Sequence, residues 1–194
     1  DMIPLSLADI AEITGGSLDC VADPDQRVTG VIEFDSRKGT KGGLFLALPG
    51  ARVDGHDFAE KAIEQGAVAV LAARPVGVPA VVVKPQGRIT GDAANADIYA
   101  HDEDGSAAAV VQALSDIARE VTRRLTAEQG LDIVGVTGSA GKTSTKDLLA
   151  TIFRAEGDTV APPGSFNNEV GLPYTALRCD EHTRFLVAEM SARG

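Results

Sequence analysis

The stretch Leu131-Asp-Ile-Val-Gly-Val-Thr-Gly-Ser-Ala-Gly-Lys-Thr-Ser-Thr-Lys146 passes from an apolar strand pattern through a glycine-rich turn into a helical pattern opened by Lys142-Thr143. That order is what a phosphate cradle needs. Gly138 and Gly141 allow positive φ and close approach of the backbone to an anion, so successive N–H groups and a helix N-terminus can converge on negative charge. Lys142 then stands among β- and γ-phosphates, and the Thr143 hydroxyl can ligate Mg²⁺. The spacing departs from the common G-x-x-x-x-G-K-T loop, because Val136 occupies the place of its first glycine. A plain glycine turn without a ligand would also join a strand to a helix, but the Lys-Thr pair at the helix start argues for the cradle.

Downstream, the pattern predicts a helix over 142–156, a strand near 159–161, an Asn-rich turn, a helix over 171–178 and a strand over 184–190. Repeated β-α-β connections of this length favour a mainly parallel sheet. Ligands of such sheets gather beyond the carboxyl ends of the strands, where Glu189 could hold Mg²⁺ opposite Thr143; an acidic residue ending a strand by chance is the alternative. The segment Ser165-Phe-Asn-Asn-Glu-Val-Gly-Leu-Pro173 sets two adjacent amides at a helix entrance. Their donors and acceptors suit a γ-phosphate or a substrate carboxylate, although an Asn-rich capping turn is the commoner use of such a run.

Upstream, Ser106 can cap a long helix carrying Val110, Val111, Leu114, Ile117, Val121 and Leu125. Residues 85–105 read as a surface loop or linker. Before them the pattern gives a helix from Leu7 to Ile13 behind Ser6, strands over 28–34 and 44–48, a helix capped by Asp57 and stopped by Gly66, and buried strands over 68–71 and 79–83. The fold class expected is therefore α/β: a small mixed N-terminal domain over 1–105, then a truncated phosphate-loop domain with a mainly parallel sheet over 106–194. Asp35-Ser-Arg37 and Asp54-Gly-His56 flank one of the strands and could converge. Arg37 can grip a phosphate bidentately, and Ser36 and His56 can hydrogen-bond a sugar, base or phosphate; singly, each is ordinarily a solvated loop residue. His101 and His182 lie in charged stretches and carry no chemistry.

Over the whole chain, 18 Lys and Arg stand against 28 Asp and Glu, a net charge of −10. That repels phosphate backbones, so neither nucleic acid nor an anionic membrane is expected as the main partner. Cys20 and Cys179 lie far apart, without the spacing of a zinc site or a disulfide framework. No leader sequence and no membrane-length apolar run is present, which leads to an expectation of the cytoplasm. The last strand would need further sheet partners, so the chain is expected to be a piece of a larger protein, with roughly 250 to 300 residues more in the parent frame.

Phe34-Asp-Ser-Arg37, Gly43-Leu-Phe-Leu-Ala-Leu48, Asp54-Gly-His56, Thr137-Gly-Ser-Ala-Gly-Lys-Thr-Ser144, Asn167-Asn-Glu-Val-Gly-Leu-Pro173 and Glu189-Met190 together resemble the Mur ligases. These are the ATP-dependent amide-forming enzymes of peptidoglycan precursor synthesis, and the motifs fall in the family's order along nearly the whole chain. The double Asn leading into Gly-Leu-Pro, with the continuation to Lys146, resembles the members that add D-alanyl-D-alanine to a UDP-N-acetylmuramoyl tripeptide. Members that add a single amino acid are the alternative within the family. Outside it the alternatives are a kinase or NTPase with another acceptor, or a non-catalytic UDP-sugar-binding module.

The resemblance implies that Ser36, Arg37, Asp54, Gly55 and His56 lie at the uridine-diphosphate site. It implies that Thr137, Gly138, Ser139, Ala140, Gly141, Lys142, Thr143 and Ser144 bind ATP, that Thr143 and Glu189 hold Mg²⁺, and that Asn168 stands near the γ-phosphate and the substrate carboxylate. Lys142, Asn168 and Glu189 would form the catalytic group. Ser191 departs from the family's usual glycine after Glu-Met, and residues 85–105 are longer than its usual connection. The implied reaction phosphorylates the tripeptide carboxylate, after which the amine of D-alanyl-D-alanine attacks the acyl phosphate. A monomer is expected. The general base and the adenine contacts would lie beyond Gly194, so the 194-residue chain alone is expected not to turn over.

Overall fold

The computed structural model describes residues 2–88, 99–164 and 170–190. The chain divides into two compact units, one of Pro4–Ile117 and one of Ala118–Gly194 together with Asp1–Ile3. No helix among the described residues is long and apolar enough to cross a membrane.

In the first unit, α1 (Leu7–Thr14) starts in a capping box. The Ser6 hydroxyl accepts from the Asp9 N–H at 3.0 Å, and the Asp9 carboxylate accepts from the Ser6 N–H at 3.3 Å. The helix stops where Gly15 turns left-handed at φ 69°. β1 (Leu5–Ser6) pairs antiparallel with β3 (Arg27–Val28). A five-stranded sheet follows in the spatial order β2 (Ser17–Asp19), β7 (Ala80–Val82), β6 (Ala69–Ala72), β5 (Leu44–Leu46), β4 (Ile32–Glu33). β2 is antiparallel to β7, and the other pairings are parallel. Every residue of β5 and β6 is buried, as expected of parallel strands covered on both faces. Phe45, Val70 and Ala72 pack there with Ala59 and Ala62 of α2 (Ala59–Glu64).

Two sequence expectations change here. The single strand over 28–34 is divided, because Gly30 presses on the Lys41 carbonyl where no Cβ fits; the chain pairs with β1 before that point and with β5 after it. The second helix is not capped by Asp57: α2 has Phe58 at its N-cap with no side-chain hydrogen bond there, and the Asp54 carboxylate caps the 3₁₀ turn over Gly55–Phe58 that leads into it, accepting from the His56 N–H.

The long helix α3 (Ser106–Gln129) also begins differently from expectation. Ser106 is its first residue, and its N–H donates to Asp104, while buried Asp102 accepts from the N–H groups of Ala107 at 2.8 Å and Ala108 at 3.0 Å. Carboxylates thus meet the exposed donors and the positive end of the helix dipole.

In the second unit, β8 (Asp132–Val136), α4 (Lys142–Arg154), β9 (Thr159–Val160), α5 (Gly171–Ala176) and β10 (Phe185–Glu189) follow one another. The sheet is parallel, with β10 between β8 and β9 and buried along its whole length. Phe153 of α4 stacks on Phe185 with centroids 4.7 Å apart. The register sets Glu189 beside Val136, so the last residue of β10 is level with the strand end that enters the glycine-rich turn.

Candidate active site

Gly138 and Gly141 have φ of 146° and 74°, conformations that side-chain-bearing residues rarely take. A Cβ on Gly141 would meet nothing, and one on Gly138 only the Ala140 carbonyl at 3.9 Å, so the loop is open above its glycines. Gly141 stands at the N-cap of α4 without any side chain capping the first turn. The first-turn N–H groups therefore face outward as donors suited to an anion. Thr137, Ser139 and Ala140 are exposed along the loop, with Ser144 exposed in the first turn.

From that turn Lys142 reaches the Met190 carbonyl at 3.4 Å, and the Thr143 hydroxyl lies 3.4 Å from a carboxylate oxygen of Glu189. Glu189 is buried at 3% exposure. Helix α4 and strand β10 thus bring an ammonium group, a hydroxyl and a carboxylate to the mouth of one glycine turn. Hydroxyl and carboxylate are the hard oxygens that Mg²⁺ takes. Among the described residues no group of three or more His, Cys, Asp or Glu could hold a metal by itself. This donor set suits a cation that completes its shell with phosphate oxygens and water, as Mg²⁺ does at nucleotide sites. Asn168 and Ser191 lie outside the described residues.

The first unit collects its candidates at the carboxyl ends of β4, β5 and β6. After β4, the buried Glu33 carboxylate accepts from the N–H groups of Phe34 and Asp35, both at 3.0 Å, which starts the turn carrying Ser36 and Arg37. The Arg37 guanidinium binds Asp35 through two nitrogens at 2.9 Å and is 85% exposed. The hydrogen bond from Arg37 holds the Asp35 carboxyl well below the usual carboxylate range. Arg37 is thereby pre-set, with its outer edge turned to solvent.

Between β5 and α2, the Asp54 carboxylate accepts from the backbone and ring N–H groups of His56 and from Arg74 at 3.1 Å. Burial pushes the Asp54 carboxyl up, but these hydrogen bonds outweigh it and the net displacement is downward. His56 departs from its expected part. Its side chain is wholly buried, Nδ1 lies 2.7 Å from Asp54, and Nε2 accepts from the Ala73 N–H at 3.0 Å. Both ring nitrogens are used within the protein, and the ring ties the turn after β5 to the end of β6. Gly55 is likewise tight, since a Cβ there would lie 2.6 Å from the Leu48 nitrogen. Asp54, with one-third of its side chain exposed, is the member of this triplet that can face a ligand.

His56→Ala removes the acceptor of the Ala73 N–H and leaves a cavity. A loss of roughly 3 kcal/mol in unfolding free energy is expected from urea denaturation. A wild-type midpoint would show that the ring ties nothing together.

Arg74, Asp102, Glu33 and Lys146 were not singled out as partners by sequence. The acidic run Asp102-Glu-Asp104 before α3 was the available signal for its cap.

A parallel sheet whose first strand enters a glycine loop, with Lys-Thr opening the next helix and an acid closing the neighbouring strand, defines an α/β unit of the phosphate-loop class. The description "Mur ligase family, catalytic domain" matches residues 29–125, and "Mur ligase middle domain" matches residues 136–194. The chain belongs to the Mur ligase family. It is 56% identical over 195 residues to the UDP-N-acetylmuramoyl-tripeptide--D-alanyl-D-alanine ligase of Mycobacterium leprae (strain TN), covering 99% of this chain and 37% of that protein. The enzyme of the same name from Bacillus subtilis (strain 168) is 36% identical, with 100% and 37% covered. Among solved structures, the UDP-N-acetylmuramoylalanyl-D-glutamyl-2,6-diaminopimelate--D-alanyl-D-alanyl ligase from Acinetobacter baumannii superposes with a TM-score of 0.73 at 26% identity, covering 98% and 37%. The MurF ligase from Thermotoga maritima in complex with ADP gives 0.61 at 30% identity, covering 86% and 33%. The chain spans little more than a third of the length of the curated relatives it matches.

Proposed function

We propose that this chain is the UDP-substrate-binding and phosphate-loop portion of an ATP-dependent ligase. The enzyme would join the free carboxylate of a UDP-N-acetylmuramoyl tripeptide to the amine of D-alanyl-D-alanine, as a cytoplasmic monomer. Residues 1–105 take the UDP moiety through Ser36, Arg37 and Asp54, and residues 106–194 begin the ATP-binding domain. The observation that carries the nucleotide half is the meeting of Thr143 and Glu189 at 3.4 Å beside Lys142. The choice of acceptor is supported by the names of the relatives that align along the whole chain.

Each residue then has a definite task. The loop N–H groups and the start of α4 receive the β- and γ-phosphates, while Lys142 offsets the charge that gathers on the transferred phosphoryl group. Thr143 and Glu189 would hold Mg²⁺, which would supply positive charge to neutralise the phosphates. A substrate carboxylate oxygen attacks the γ-phosphorus and ADP leaves, giving an acyl phosphate. The amine then attacks its carbonyl carbon, phosphate leaves, and the amine proton passes to a base. Asn168 is assigned to the γ-phosphate and the substrate carboxylate.

The deciding experiment follows ADP release in the whole polypeptide that the gene encodes, with ATP, Mg²⁺ and the UDP-linked tripeptide. D-alanyl-D-alanine should support turnover. If diaminopimelate or lysine added to a UDP-linked dipeptide supports it instead, the acceptor assignment is wrong; ATP hydrolysis indifferent to any muramoyl substrate removes the ligase reading.

A further inference from the structure

The fold uses most of the hydrogen-bonding capacity of Asp54, but not all of it. An ionised carboxylate offers about four acceptor positions, two on each oxygen. One oxygen takes the backbone N–H of His56 at 2.9 Å and its ring Nδ1 at 2.7 Å, and the other takes the Arg74 guanidinium at 3.1 Å. Because Nε2 of the same ring accepts from the Ala73 N–H, the proton of the neutral imidazole stands on Nδ1 and is donated to Asp54. Three positions are filled, and one is open on the oxygen that meets Arg74. The side chain is 32% exposed, which leaves that position within reach of a ligand.

What can fill it follows from charge. Arg74 also lies 4.0 Å from Asp57, so a single guanidinium serves two carboxylates and the turn keeps a net negative charge. A phosphate is repelled there, whereas a neutral group with a proton to donate is attracted. Arg37, the cation with an exposed edge for phosphate, stands after β4, and β4 and β5 are adjacent strands, about 5 Å apart. In a uridine diphosphate the group next to the phosphates is the ribose, whose hydroxyls carry protons. The base lies farther away, and its one N–H is flanked by two carbonyl oxygens that a carboxylate would repel.

We propose that Asp54 determines specificity for the ribose: its open acceptor position receives one of the ribose hydroxyls of the UDP moiety, while His56 and Arg74 act as positioning residues that fix the carboxylate for it. This rests on the reading that the first unit takes the UDP moiety. A carboxylate already held at three positions loses little freedom when the hydroxyl arrives, and a ligand lacking that hydroxyl leaves a charged acceptor unmet.

The test measures competition with the UDP-linked tripeptide, by ADP release in the whole polypeptide, for UDP, 2′-deoxy-UDP and 3′-deoxy-UDP. UDP is expected to compete, and one of the deoxy analogues to bind about tenfold or more weakly, the range of a hydrogen bond to a charged group. Equal inhibition by all three overturns the proposal and leaves the UDP reading standing; failure of UDP itself to compete defeats that reading and the proposal with it. In Asp54→Asn, whose amide oxygen can still cap the 3₁₀ turn while its NH₂ group cannot accept, the difference is expected to fall to about threefold or less. A difference unchanged in that variant means that another residue meets the hydroxyl, and overturns the proposal. If Asp54→Asn does not fold in a thermal melt, Arg74→Ala takes its place: Arg74 is half exposed, and releasing the carboxylate from it is expected to narrow the same difference, an unchanged one again overturning the proposal.

Discussion

Lys142→Ala is expected to lower kcat by about a thousandfold in the whole polypeptide, the range seen when a cationic or oxyanion-stabilising donor is removed from a transition state. The side chain is partly exposed and reaches the Met190 carbonyl only at 3.4 Å, so little packing depends on it. Alanine is also a better helix former at that position, and the melting temperature should stay near wild type. Loss of rate without loss of fold separates this lysine from Lys146, whose ammonium group is buried. ADP release measured beside a thermal melt decides it. Retention of more than about a tenth of the rate would mean that the phosphoryl charge is met elsewhere.

The nucleotide half of the site was legible because its signals are local and ordered along the chain. A strand ending in Val136, glycines at 138 and 141 and a Lys-Thr helix start need no long-range information. Placing Glu189 needed only the rule that parallel strands present their carboxyl ends on one edge. The resemblance to a known family then added roles that spacing alone left open, including those of the Asn pair and of the first unit's loops. Less legible were choices among chemically similar neighbours. Asp54 and Asp57 both precede a helical pattern, and Asp102, Asp104 and Ser106 can all cap; which one does depends on how the loop arrives. His56 read as an exposed ligand because a Gly-His pair in a loop carries no mark of burial. Its confinement depends on the Ala73 N–H, seventeen residues away. The division of the strand at Gly30 had a weak signal, one glycine inside a β-rich run.

Gly43→Ala is expected to destabilise the first unit by about 5 kcal/mol or more, comparable with the whole stability of many domains. The argument is one of space. A Cβ at this position would fall inside the van der Waals envelope of the Val31 carbonyl oxygen and lie 3.0 Å from that of Thr40. Both atoms are backbone, so no side-chain rotation relieves the clash. The Val31 carbonyl also accepts from the Leu44 N–H at 3.1 Å where β4 and β5 meet, and the Gly43 carbonyl accepts from Val68 at 2.8 Å on the approach to β6. Making room for one methyl group therefore parts the strands whose carboxyl ends carry Arg37, Asp54 and Arg74. Gly39→Ala is the matched control: nothing lies within 4 Å of its added Cβ, and a change within about 0.5 kcal/mol is expected. Urea unfolding followed by circular dichroism compares the two. Equal midpoints for the two variants would mean that β4 and β5 can separate at little cost, leaving the close approach at Gly43 without consequence for the fold.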